Sequence, residues 1–185
     1  MSRLIENRPE YEVEWLRYRS DWRMREVLVK KYGFAIPNLE ALVEISRHQP
    51  VLEVGAGSGY WAYELKKLRV DIVATGIIDK IHRKEWEDSP WTAVERLSAQ
   101  EAIGRYPERT LFMCWPSYSE EWAGHALAAY GGETLILVAE GEYGCVGGSN
   151  LWEELRKNWQ CLVEVEIPQW DGIHDWLTVW RRRKP

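Results

Sequence analysis

From Pro50 onward, short apolar runs alternate with longer stretches whose apolar positions recur every three to four residues. This is the pattern of parallel strands joined by crossover helices. It predicts strands over residues 51–54, 70–75, 111–115 and 134–140, with a weaker one over 93–97. Helices are predicted near residues 60–68, 119–130 and 150–159. Two further strand-like runs, 161–167 and 176–182, are separated by only eight residues, too few for a crossover helix, so they are expected to pair antiparallel.

Ahead of this region, Tyr11, Trp15, Tyr18, Trp22 and Val29 recur at helical spacing and predict one or two amphipathic helices. Another helix is predicted over residues 38–47, with Asn38 as its N-cap. Gly33 and Pro37 interrupt the aromatic connection KYGFAIPN. Residues 1–48 are read as a helical extension or lid, and residues 49–185 as one α/β domain.

Composition narrows the class. A net charge of -5 argues against a surface that neutralises long stretches of nucleic acid, although it leaves room for a local basic groove. The charged opening MSRLIENRPEYEVEW holds no signal-like apolar segment, and no run is long enough to span a bilayer, so a cytoplasmic protein is expected. Cys114, Cys145 and Cys161 fit neither a disulfide framework nor a zinc site and are read as free thiols; no metal is expected.

The densest motif is VLEVGAGSGY, residues 51–60, where an apolar strand ends at Glu53 and Val54 and enters a turn with Gly55, Gly57 and Gly59. Glycines there permit positive φ and close backbone approach by a ligand. A dinucleotide fingerprint would place its third glycine one residue later, and a carboxylate at Glu53 would repel a pyrophosphate. The motif resembles the first motif of the class I S-adenosylmethionine-dependent methyltransferases. The resemblance implies a Rossmann-like, mostly parallel sheet with an antiparallel C-terminal hairpin and helices on both faces. It also implies S-adenosylmethionine as cofactor, with Glu53 helping to hold its cationic methionine end.

That family usually places an acidic residue at the end of the second strand to bind the ribose. Gly76 stands there, and Asp79 is the nearest carboxylate. Ser98 and Ala99 fall where the family contacts the adenine ring, and read equally well as a helix cap and first turn. Ala56, Trp61 and Trp115 complete the implied cofactor contacts, and Tyr32 joins them if the N-terminal helices form a lid.

The segment CWPSY, residues 114–118, is similar to the fourth motif of amino-methyltransferases. Pro116 and Tyr118 fit it, while Trp115 and Ser117 depart from it. Tyr118 and His174 are the candidate catalytic residues, His174 as a base oriented by Asp175. The blocks YGFAIPN, VLEVGAGSGYWA, CWPSY, GEYGCVGG and PQWDGIHDWLTVWRR, in that order, look like a little-characterised group of bacterial and fungal methyltransferase-like proteins. In that group an acidic residue takes the place of Gly76. The expectation is methyl transfer to a small or moderately sized acceptor. The alternatives are an inactive methyltransferase-like binding protein, an amino-group methyltransferase acting on a nucleobase, or a dehydrogenase.

Overall fold

A computed structural model of the chain describes residues 8–77, 84–118 and 121–184. Its strands are β1 (Val51–Val54), β2 (Ile72–Thr75), β3 (Thr110–Cys114), β4 (Thr134–Ala139), β5 (Trp159–Glu166) and β6 (Trp176–Arg182). They form one sheet in the order β2-β1-β3-β4-β6-β5. β2, β1, β3 and β4 run parallel, while β6 pairs antiparallel with both β4 and β5. The closing hairpin therefore has the sense that its short connection requires.

Side-chain alternation divides the core between the two faces of the sheet. Val51, Phe112, Ile136 and Val138 pack with Ala41, Leu42 and Ile45 of α3 (Leu39–Ser46) and with Trp61, Ala62 and Leu65 of α4 (Tyr60–Lys67). Their strand neighbours Leu52, Val54, Leu111, Met113, Leu135 and Leu137 face the other way. They meet α6 (Ala99–Arg105), α7 (Trp122–Ala129) and α8 (Ser149–Asn158). Asn38 caps α3 through the Ala41 amide, as its position before the apolar pattern indicated.

Several boundaries differ from the sequence expectation: β3 is shifted by one residue, and β5 begins at Trp159, where the helix before it was expected to end. β2 begins at Ile72, since Arg69 takes a left-handed φ of 62° and the Val70 N–H still returns to Leu65 O at the end of α4. The weak strand over 93–97 shrinks to one parallel bridge, Thr75 to Glu95. There the Leu97 N–H turns back to Glu95 O, and Ser98 then starts α6 with a full capping box to Glu101. A short helix, α5 (Lys84–Asp88), was not anticipated.

The N-terminal helices α1 (Glu10–Tyr18) and α2 (Trp22–Tyr32) join the body through a third apolar cluster. Tyr32 stacks on Tyr11 at 4.6 Å and on Trp91 at 5.3 Å, while the Tyr11 N–H donates to the Tyr60 hydroxyl at the start of α4. Among the described residues, no helix is long and apolar enough to cross a membrane.

Candidate functional site

The turn after β1 has the backbone that its glycines allow. Gly55, Gly57 and Gly59 have φ of 70°, 54° and 73°, in the left-handed region where a side chain is strained. The Ala56 N–H is tied to Thr75 O, which holds the turn against the end of β2. Gly76 is buried there, and a Cβ on it would lie 3.3 Å from the Ala56 nitrogen. A side chain at this position would press on the backbone of the glycine turn, which comes close to the strand end here.

Gly55 is exposed, Ala56 and Gly57 are half-buried and Gly59 is buried, so the accessible part of the turn is its first glycine. Two indoles flank it. A Cβ on Gly55 would meet Trp122 at 3.0 Å, and one on Gly57 would meet Trp86 at 3.0 Å. Behind the turn, the Glu53 carboxyl is 1% exposed. Burial pushes its pKa up to about 8, against the lowering effect of the Ala62 amide and, more weakly, of Lys66. Its Oε2 is buried and meets no hydrogen-bond partner among the described residues. The turn thus combines an exposed glycine, two indoles packed against it and, on the strand before it, a buried carboxyl oxygen without a partner, a group that could answer the cationic end of a ligand.

A second group lies beyond the carboxyl ends of β3 and β4, where open α/β sheets carry their ligands. Trp115, at a left-handed φ of 51°, donates its indole N–H to Asp175 Oδ1 at 2.7 Å. Its ring stacks on Phe34 at 4.7 Å, and the Arg25 guanidinium sits 5.9 Å from its centroid. Asp175 is almost fully buried. Burial pushes its carboxyl up to about 7, with the Trp115 indole opposing and Glu140 adding to the rise. Glu140 accepts the backbone N–H groups of His174 and Cys145, binding the loop after β4 to the loop before β6.

The sequence-derived candidates fall into three sets. Glu53, Gly55, Ala56, Gly57 and Gly59 form the cradle, with Trp115 near Phe34 and Arg25 on the neighbouring strand end. Tyr32, Trp61, Ser98 and Ala99 perform structural tasks: Tyr32 is buried in the ring stack with its hydroxyl on Glu10, the Trp61 indole donates to Ala35 O, and Ser98 caps the helix that Ala99 begins. Tyr118 and His174 are exposed, and Asp175 is bound to Trp115 in place of orienting the His174 imidazole. Asp79 lies outside the described residues. Trp86, Trp122, Arg25 and Asp175 were not singled out as ligand contacts by sequence. Helical spacing marked Trp22 of α2, and the same helix carries Arg25 inward one turn later.

No protein-family model matches the chain, and neither does any curated protein sequence. Solved structures do share its fold. An uncharacterized protein from Listeria monocytogenes serotype 4b superimposes with a TM-score of 0.53 at 15% identity, over 79% of this chain and 66% of that one. A candidate tRNA (m1A22) methyltransferase from Streptococcus pneumoniae gives 0.53 at 13% identity, over 79% and 69%. MtNAS in complex with MTA and tNA gives 0.50 at 10% identity, over 79% and 59%. The aligned region thus spans about two thirds of the first two proteins and less of the third. With a parallel sheet closed by an antiparallel hairpin and a glycine turn after β1, the chain has the fold of the class I S-adenosylmethionine-dependent methyltransferases.

Proposed function

We propose that this chain binds S-adenosylmethionine on the turn at Gly55–Gly59 and is a methyltransferase acting on an acceptor held beyond β3 and β4. The observation that carries the reading is the left-handed glycine turn after β1, exposed at Gly55, with the unpartnered Oε2 of Glu53 on the strand before it. When bound, the cofactor supplies an electrophilic methyl group on a sulfonium. Glu53 holds the cationic methionine end, and the backbone at Gly55 and Gly57 lets the nucleoside approach closely. Trp86 and Trp122, packed against Gly57 and Gly55, supply rings that attract a sulfonium cation. Acting as a lid, α1 and α2 with Phe34 stacked on Trp115 limit water at the reacting centre.

Positioning supplies much of the acceleration in such a transfer, with effective molarities on the order of 10⁵ M or more. A dedicated base is therefore optional. Asp175, whose carboxyl burial raises to about 7, joins His174 as a candidate proton acceptor beside Trp115.

A second reading, a binding protein without catalysis, is favoured by Trp86 and Trp122 lying directly against the turn. Calorimetry with S-adenosylmethionine and S-adenosylhomocysteine tests the cofactor claim: saturable binding of both is expected, and Gly57→Arg abolishes it while the thermal transition persists. No heat at millimolar ligand would remove the claim. Methyl transfer from labelled cofactor to an acceptor then separates enzyme from binder.

A further inference from the structure

The corner between α1 and α2 is unlike the rest of this acidic chain. Residues 16–25, LRYRSDWRMR, carry Arg17, Arg19, Arg23 and Arg25 against the single carboxylate Asp21, in a chain of net charge -5. Arg23 occupies that carboxylate with a paired contact at 3.0 Å. Arg17 and Arg19 are exposed and rest against the rings of Tyr18 and Trp15, at 5.9 and 5.8 Å. Among the described residues, neither has a carboxylate within ion-pair distance. Beside them Trp22 is 53% exposed and, with Arg19, Ser20 and Asp171, lines a hollow of about 290 Å³.

This corner is joined to the proposed methyl-transfer face. The Arg25 guanidinium lies 5.1 Å from the Trp22 ring and 5.9 Å from the Trp115 ring, linking the outer indole to the one beyond β3. Its Nε–H is buried and meets no acceptor among the described residues. A buried donor without a partner is costly, and an arriving oxygen acceptor relieves it. Free guanidinium groups suit phosphate oxygens, and an exposed indole next to them gives a base a face to stack on.

We infer that the α1–α2 corner anchors the acceptor, and that the acceptor is a nucleotide within a short single-stranded segment of RNA. Arg17 and Arg19 take backbone phosphates, Trp22 stacks a base, and the next nucleotide is led past Arg25 towards Trp115. The patch covers a few phosphates, so the negative net charge, which opposes long tracts, does not oppose this one. The inference rests on the methyl-transfer reading for its purpose, while the binding it describes is measurable without it.

The test uses the full chain and a fluorescein-labelled twelve-nucleotide RNA of mixed, unpaired sequence, followed by anisotropy at low and at physiological salt. Saturable binding that weakens as salt rises is expected. The double variant Arg17→Glu/Arg19→Glu and the single variant Trp22→Ala should each weaken it by about tenfold. Lys157→Glu, on the exposed side of α8, should leave it unchanged. No binding at low salt, equal binding of a duplex of the same length, equal competition by AMP, or indifference to the variants would each overturn the assignment. The thermal unfolding midpoint of each variant, compared with that of the parent chain, is the control for folding. RNA binding without cofactor binding sinks the proposed function and, with it, the acceptor role of the bound RNA, while the binding corner stands; cofactor binding without RNA binding sinks only this inference.

Discussion

Glu53 is a carboxyl group that folding keeps neutral. Its pKa of about 8 in the native chain stands well above the ordinary 4.5, so between those values the unfolded chain has released a proton that the folded chain retains. Its stabilising contribution is complete below pH 4.5 and is lost as pH rises through 8. Asp175, raised from 3.8 to about 7, acts in the same direction. Thermal unfolding should therefore show a lower midpoint at pH 8 than at pH 5, and Glu53→Gln should flatten that slope. An unchanged slope would mean that Glu53 is already ionised in the native state. Pairing with a cationic ligand reverses the balance, so S-adenosylmethionine binding at pH 7 should release a proton, detected by calorimetry in buffers of different ionisation heat. Glu53→Gln should bind without that release. The turn at Gly55, Gly57 and Gly59 was legible because its left-handed backbone depends on local spacing. Asp175 was read as an orienter of His174, and nothing local indicates that Trp115, turned inward by a positive φ, would take the carboxylate first.

At the scale of elements, β1, β4 and β6 were legible to within a residue, since apolar runs bounded by turns leave little choice. The reduced pairing at Glu95 was not, because sheet-edge length is decided by where Ser98 starts α6. The α1–α2 pair was expected to serve as a lid, and its attachment now has named contacts. Tyr32→Ala should remove the ring between Tyr11 and Trp91 and cost on the order of 3 kcal/mol by chemical denaturation. Cofactor affinity should fall with it. Tyr32→Phe keeps the ring and loses the bond to Glu10, so both stability and affinity should stay close to those of the parent chain. A Tyr32→Ala variant that binds as tightly as the parent would separate the lid from the cradle.

For the molecule as a whole, the strand ends gather the glycine turn, the Trp115–Asp175 pair and the arginine corner on one side, while the opposite ends of β4 and β6 engage Arg181 with Glu133. The basic run at residues 181–184, the densest in the sequence, thus lies away from the site. The sparser arginines of α1 and α2 lie beside it, because helical spacing collects residues that are scattered along the chain. Trp86 and Trp122, placed against Gly57 and Gly55, give this arrangement a practical consequence. Indole emission responds to what touches the ring, so the protein carries its own optical reporter. A molecule settling on the turn alters the glow of two of its twelve tryptophans, and replacing that pair with phenylalanine should silence the signal while the other ten continue to shine.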